Sequence, residues 1–271
     1  MDENAAQVNP KTLPGHLLAR GRTADVYAWE DGYVLKLFRK SSLDDVNYEA
    51  RIARAVHASG LAVPFAGEIV QVNAHYGLIY ERVDGPAMLE VLSTRPWRLL
   101  YYARRMAEVH AEMHARSCRS ELPSQRRRLE SKIRQAAALP TSTQAAVLAR
   151  LASMPDGERI CHGDMHPGNI LLTARGEVVI DWVDATCGNP LADVARTSII
   201  MMGAASSAQI TNPFMKACIR LFHAVYLRHY FNLCPGGEHE YRRWLPIVAA
   251  ARLSERIPEL ESWLVAQVRI P

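Results

Sequence analysis

The stretch that most constrains this chain of 271 residues is 159–182, RICHGDMHPGNILLTARGEVVIDW. Within HGDMHPGN an acid and an amide stand five apart, Asp164 and Asn169. Two short apolar runs follow, 170–173 and 178–180, joined by Ala174, Arg175, Gly176 and Glu177. Gly176 takes a positive φ that other residues resist, so the two runs read as a β-hairpin. The second run ends on Asp181, which the returning strand is expected to bring near Asn169. Three oxygen-bearing side chains would then converge, one suited to basic chemistry and two to a hard cation such as magnesium.

That layout resembles the catalytic and metal-binding loops of the kinase superfamily, where an Asp, four residues and an Asn precede a hairpin and a second Asp. HGD in place of HRD, and Asp-Trp in place of Asp-Phe-Gly, resemble the aminoglycoside phosphotransferase and choline kinase branch. The resemblance covers nearly the whole chain from about residue 16. It implies an α+β, two-lobed protein-kinase-like fold. The N-terminal lobe is expected to hold a five-stranded antiparallel sheet plus a helix, and the C-terminal lobe to be mainly helical. It further implies that Asp164 accepts or orients the proton of an acceptor hydroxyl, and that Asn169 and Asp181 hold Mg2+ against the phosphates of ATP.

Composition narrows the alternatives. A net charge of +4 and a pI near 8.8 are mild, and do not suggest a nucleic-acid partner, which calls for a concentrated basic face. The basic run Arg126, Arg127, Arg128 reads as a solvated helix face. The five cysteines are odd in number and lack CxxC spacing, so they read as free thiols of a reducing cytosol. The first fifteen residues carry early acids and no apolar core, which is not a signal peptide, and no apolar run is long enough to span a bilayer. A cytoplasmic protein without a membrane partner is expected.

Residues 1–15 read as a flexible N-terminus, 16–84 as an ATP-clamp lobe and 85–271 as a catalytic and acceptor-binding lobe. Runs 16–20, 24–30 and 33–38 read as strands, with Asp31-Gly32 as a hairpin turn. The turn from Gly21 to Ala24 is either an ordinary β-turn or, by the resemblance, a cover over the ATP phosphates through Gly21 and Thr23, with Val26 packing on the base. Lys36 shares a strand face with Val34 and Phe38, and an ammonium in such a strand needs a partner. Helix 43–59 offers one, because Val46, Glu49, Ala53 and Val56 recur at helical spacing and put Glu49 on the apolar stripe. The pair Lys36–Glu49 is either a structural ion pair or, by the resemblance, the kinase pair that reaches the α and β phosphates. Strands 67–72 and 76–82 complete the sheet and run into Asp84-Gly85-Pro86, the expected lobe boundary. The resemblance makes this a hinge whose backbone at Glu81 and Val83 would bond adenine, with the ring between Val26, Val34, Leu171 and Ile180.

The remainder reads as helical. Helix 98–116 buries Leu99, Ala103, Met106, His110 and Met113 on one side. His110 and His114 are spaced to bind a metal, but no third ligand is evident nearby, so they read as packing histidines with one ring nitrogen satisfied. Helices 125–138 and 141–153 follow. After Asp181 the resemblance matches Trp182, Ala185, Gly188, Pro190 and Asp193, and implies that Asp193 ties its helix to the catalytic loop. Only eight residues separate Asp181 from Pro190, too few for a peptide-holding activation segment. Region 212–268 reads as three or four helices that build the acceptor pocket. From Gly236 onward five Glu face five Arg, unlike the acidic sites that hold aminoglycosides. Arg252 either faces that pocket, favouring an anionic or neutral acceptor, or lies on the surface. The expected activity is ATP- and magnesium-dependent phosphorylation of a small alcohol. The rivals are a nucleotide-binding pseudokinase or regulatory module, and an atypical protein kinase.

Overall fold

The computed structural model describes residues 6–7, 14–21, 23–118 and 121–268. The expected flexible stretch 1–15 falls mostly outside them. In chain order the strands and helices begin with β1 (Ala6–Gln7), β2 (Leu17–Arg20), β3 (Ala24–Ala28), β4 (Tyr33–Phe38), α1 (Leu43–His57), β5 (Ala66–Val72) and β6 (His75–Glu81). Then come α2 (Met88–Thr94), α3 (Leu99–His114), α4 (Gln125–Arg134), α5 (Thr141–Ser153), β7 (Arg159–Cys161), β8 (Ile170–Thr173), β9 (Gly176–Val179) and β10 (Thr186–Gly188). The last four are α6 (Pro190–Ser206), α7 (Pro213–Leu233), α8 (Glu238–Arg252) and α9 (Pro258–Gln267). The chain divides into two compact units, residues 1–86 with 171–183, and residues 87–170 with 184–271.

In the first unit the sheet order is β1-β5-β6-β4-β3-β2. The five strands from β2 to β6 pair antiparallel, as expected, and two-residue β1 adds to the edge of β5 in parallel. Alternation along β4 sends Leu35 to one face, with Val70 and Val72, and Phe38 to the other. There Phe38, Ala66, Ile69 and Leu78 pack on Val46, Ala50 and Ala53 of α1. Helix α1 starts at a reciprocal cap, in which Asp45 N–H donates to Ser42 Oγ and Ser42 N–H to the Asp45 carboxylate. The β8–β9 hairpin belongs to this unit. Its β8 backbone donates from Leu172 N to Pro86 O at 2.9 Å, and its β9 backbone from Val179 N to Ala62 O at 3.3 Å. Gly176, at φ 120°, makes the turn, and the return strand starts there, two residues earlier than expected.

The second unit is helical apart from the β7–β10 pair. Helix α4 stops at Arg134, short of the expected 138, because Gln144 of α5 donates to the carbonyls of Ala136 and Leu139 and draws the chain into a turn. The cysteine expectation is corrected here. Cys118 and Cys187 form a disulfide with a Cα–Cα distance of 5.6 Å, leaving Cys161, Cys218 and Cys234 as free thiols. The two lie 69 residues apart and meet because both flank the first residue of β7: Ser117 and Gly188 each pair with Arg159. No spacing rule contains that, and the reading of a reducing compartment loses its support. Among the described residues no helix is long and apolar enough to cross a membrane.

Close approach at the end of the first segment generates a test. A Cβ on Gly85 would collide with the Leu172 carbonyl. Gly85→Ala is expected to cost ~1–3 kcal/mol, the usual range for overpacking, measured by urea unfolding followed through tryptophan fluorescence.

Candidate active site

In the first unit, β4 presents Lys36 to two carboxylates. Its Nζ lies 2.8 Å from Glu49 Oε1 and 2.9 Å from Asp181 Oδ1. Glu49 is only 5% exposed, on the apolar stripe of α1 where periodicity put it, and Tyr80 also donates its hydroxyl to Oε1 at 2.9 Å. A carboxylate removed from water needs such partners. Burial pushes the Lys36 pKa down, but the charges of Glu49 and Asp181 outweigh it and the net shift is upward, so the ammonium stays charged. Asp181 follows β9 with φ 64°, in the left-handed region. Trp182 anchors that turn, buried and donating its indole N–H to Val179 O at 2.9 Å.

Val26 is paired in register with Lys36, and Val34 is two residues before it on the same strand face. Val26, Val34, Leu171 and Ile180 all lie in this unit and are half-buried. Glu81 N–H donates to Phe65 O at 2.9 Å, so of its backbone groups only the carbonyl could serve adenine. Val83 lies just beyond the end of β6. At the Gly21 turn the amide is taken, donating to Ala24 O at 2.9 Å, while Arg39 donates to Gly21 O and clamps Asp25. Gly21 serves the tight approach of that turn, and Thr23 follows it, exposed.

The loop 162–169 belongs to the second unit. Gly163 has φ 80° and a Cβ there would press on the Asp184 carbonyl, which accounts for glycine between His162 and Asp164. Buried Asp193 of α6 holds the loop. Its Oδ2 accepts from His162 N–H at 2.6 Å and its Oδ1 from Gly163 N–H at 2.8 Å. The same carboxylate faces His110 Nε2 at 3.1 Å and His114 Nε2 at 3.3 Å, and the opposite nitrogens of these rings meet the Tyr226 and Tyr230 hydroxyls. The expected tie from Asp193 to the loop is therefore present. The histidine reading is corrected in one respect: Asp193 does supply a third ligand-type atom, within 4.8 Å of both rings. Each ring nitrogen already has a protein partner, which makes the trio a hydrogen-bonded brace.

Asp164 receives Asn169 Nδ2 at its carbonyl (2.9 Å) and at its carboxylate (3.3 Å). That orientation leaves Asn169 Oδ1 as the group to face a cation. His166 Nδ1 accepts from Gly168 N–H, which turns Nε2 toward Asp164 Oδ2 at 3.6 Å. Burial raises the Asp164 pKa, but the neighbouring His166 imidazole and the positive charge of Arg196 hold it well below the carboxylate range. A carboxylate that acidic is a weak proton acceptor. Arg196 was not singled out from the sequence. It donates to Gly163 O at 2.9 Å, lies 3.9 Å from Asp164 and pairs with Glu255 at 2.6 Å. Its position three residues after Asp193, on the same helix face, was the available signal. The surface alternative for Arg252 is corrected: it is 9% exposed, beside Glu255.

A charged lysine between two carboxylates, and an Asp–Asn loop braced from below, are parts of a phosphotransferase of the protein-kinase-like fold. A model of the phosphotransferase enzyme family matches residues 15–252, and the chain belongs to that family. Among solved structures it is similar to the streptomycin–ATP–APH(2″)-IIa ternary complex, with 14% identity, 95% of this chain and 91% of that one covered, and a TM-score of 0.59. It is also similar to aminoglycoside-3′-phosphotransferase of type VIII, with 18% identity, 90% and 96% covered, and a TM-score of 0.61. A third is amicoumacin kinase hAmiN in complex with AMP-PNP, Ca2+ and Ami, with 15% identity, 93% and 85% covered, and a TM-score of 0.57. At these identities the likeness shows the fold. No curated protein matches the chain.

The brace sets a pH dependence. Burial, with His114 alongside, pushes the His110 pKa down to about 4. The unfolded chain binds this proton below about 6.5 and the folded one only near 4, so stability falls as pH drops through that window. Thermal or urea unfolding from pH 7 to 4 should show it. His110→Gln should flatten the slope by about 1.4 kcal/mol per pH unit, the weight of one proton.

Proposed function

We propose that this chain transfers the γ-phosphate of ATP, with magnesium, to a hydroxyl of a small molecule. The observation that carries the reading is Lys36, held charged between buried Glu49 and half-exposed Asp181. An ammonium kept ionised with one flank open to solvent is suited to phosphate oxygens. Lys36 would position the α and β phosphates, with Thr23 near them. The apolar faces of Val26, Val34, Leu171 and Ile180, the Glu81 carbonyl and the Val83 backbone would receive adenine. Asn169 Oδ1 and the Asp181 carboxylate are hard oxygen donors of the kind magnesium takes, and they fit that ion. When bound, it would neutralise charge on the phosphates. Asp164 would orient the acceptor hydroxyl, with most of the acceleration coming from alignment and charge compensation. Residues 16–84 would serve as the nucleotide clamp and 85–271 as the catalytic and acceptor part. Of the similar structures, one is a ternary complex with streptomycin and ATP and another an amicoumacin kinase with AMP-PNP, Ca2+ and Ami, which supports a nucleotide donor and a small-molecule acceptor. The donor's compartment makes a cytoplasmic location the natural one.

A pseudokinase would bind nucleotide and transfer nothing. The ionised, braced Asp164 weighs against that, since binding alone does not call for it. The short segment between Asp181 and Pro190 weighs against a peptide acceptor. ADP release from Mg-ATP across a panel of amino alcohols, sugars, nucleosides and aminoglycosides tests the reading. Release without and with every acceptor at the same rate would remove it.

The division of roles has its own test. Asp181→Ala should weaken magnesium-dependent nucleotide binding about tenfold or more, ~1.4 kcal/mol, whereas Asp164→Ala should leave it nearly intact. Calorimetric titration of Mg-ATP into both variants reads this out, and equal losses would contradict the assignment.

Typical aminoglycosides are expected to be poor substrates. Two of the acids that would attract a polycation are engaged, Glu255 with Arg196 and Glu259 with Gln209. Steady-state kinetics with kanamycin-like and gentamicin-like compounds should give kcat/KM below about 10⁴ M⁻¹s⁻¹, the ordinary floor for a cognate substrate.

A further inference from the structure

Behind the catalytic loop, within the second unit, Gly163 borders a cavity of about 50 Å³. Helices α4, α6 and α8 line it with four cations, Arg128, Lys132, Arg196 and Arg252. We propose that this cavity is an anion subsite that receives a carboxylate or phosphate group carried by the hydroxyl acceptor. The occupant's role as acceptor rests on the phosphotransferase reading; the anion site does not.

Distance supports it. Asp184, Glu255 and, 3.9 Å from Arg196, Asp164 stand beside the four cations. Asp184 pairs with Arg128 and stands 3.6 Å from Lys132. Glu255 pairs with Arg196 at 2.6 Å and stands 3.7 Å from Lys132 and 3.8 Å from Arg252. The Lys132 ammonium is therefore beyond hydrogen-bonding range of either acid. Burial, and the neighbouring charges of Arg196 and Arg128, push its pKa down despite Asp184 and Glu255. An anion in the cavity would offset both causes. The remaining acid on the wall, Asp193, is saturated by two backbone amides and two imidazoles.

Place identifies the occupant's role. Gly163 precedes Asp164 in the chain, and Arg196 reaches from the cavity wall to within 3.9 Å of the Asp164 carboxylate. A small molecule with its hydroxyl at Asp164 would have its anionic group in the cavity. The charge of Arg196 would be shared between them.

The test uses the full chain with its nucleotide site filled by Mg-AMP-PNP, so that phosphate-binding groups around Lys36 are occupied. Sodium sulfate and sodium acetate are titrated against chloride at matched ionic strength, and the melting temperature is followed. The expected result is one saturable anion site. Sulfate preference would indicate a phosphate-bearing acceptor and acetate preference a carboxylate. Lys132→Met and Arg252→Gln should each raise the dissociation constant about tenfold or more, as loss of a charge-assisted bond does, and exposed Arg104→Gln should not change it. If buried Arg252→Gln does not fold, half-buried Lys132→Met carries the comparison. Absence of a saturable site in the wild type, or a site indifferent to Lys132→Met, would overturn the proposal. Failure of the phosphotransferase reading would show separately, as no Mg-AMP-PNP binding and no ADP release.

Discussion

A carboxylate taken fully out of water survives ionised only if donors replace its hydration. Asp193 meets that demand with the amides of His162 and Gly163 and with two imidazoles, each ring in turn bonded to a tyrosine hydroxyl. The loop that carries Asp164 inherits its conformation from this one buried charge. Gly163 must bend to place both amides on Asp193, and the bend leaves no room for a side chain against Asp184. Asp164 then follows from the geometry of the two residues before it. Helices α3, α6 and α7 are joined through the same oxygens, so the site and the helical core of the second unit share a support.

The first unit solves the complementary problem, a buried cation. Lys36 is compensated by Glu49 and Asp181, and Glu49 in turn by the Tyr80 hydroxyl. The two solutions differ in what they leave open. Asp193 is fully enclosed and saturated, a role of support. Lys36 and Asp181 keep solvent on one side, with Asp181 43% exposed, and so retain capacity for a charged ligand. Asp164 lies between these cases. It is half-buried, and its pKa is held down by the groups around it.

Much of this was readable from residue order because it depends on short periods. Alternation put Lys36 opposite Leu35, helical spacing put Glu49 on a buried stripe, and glycine chemistry placed the hairpin before Asp181. The Asp164–Asn169 spacing is likewise local. The details that shifted are those settled by competing bonds. The Gly21 amide is consumed by Ala24 O, the Glu81 amide by Phe65 O, and α4 ends at Arg134, ahead of a turn whose carbonyls at Ala136 and Leu139 receive the Gln144 amide. Two further features had no local signature. The Cys118–Cys187 bond depends on both neighbours pairing with Arg159, and the burial of Arg252 depends on where α8 meets α4 and α6.

The linear order of residues therefore settles the chemistry on offer: a kinase-like acid, amide and second acid, a paired lysine, and strands and helices to carry them. These follow from periodicity and turn preference, which act over a few residues. Folding in three dimensions decides which of those groups remain available. It seals Asp193 and both histidines into a brace, turns Arg252 inward, and gathers Arg128 and Lys132 of α4 and Arg196 of α6 around one small cavity. A side chain's partners are chosen by desolvation and distance among segments far apart in sequence, and neither quantity exists until the chain has packed.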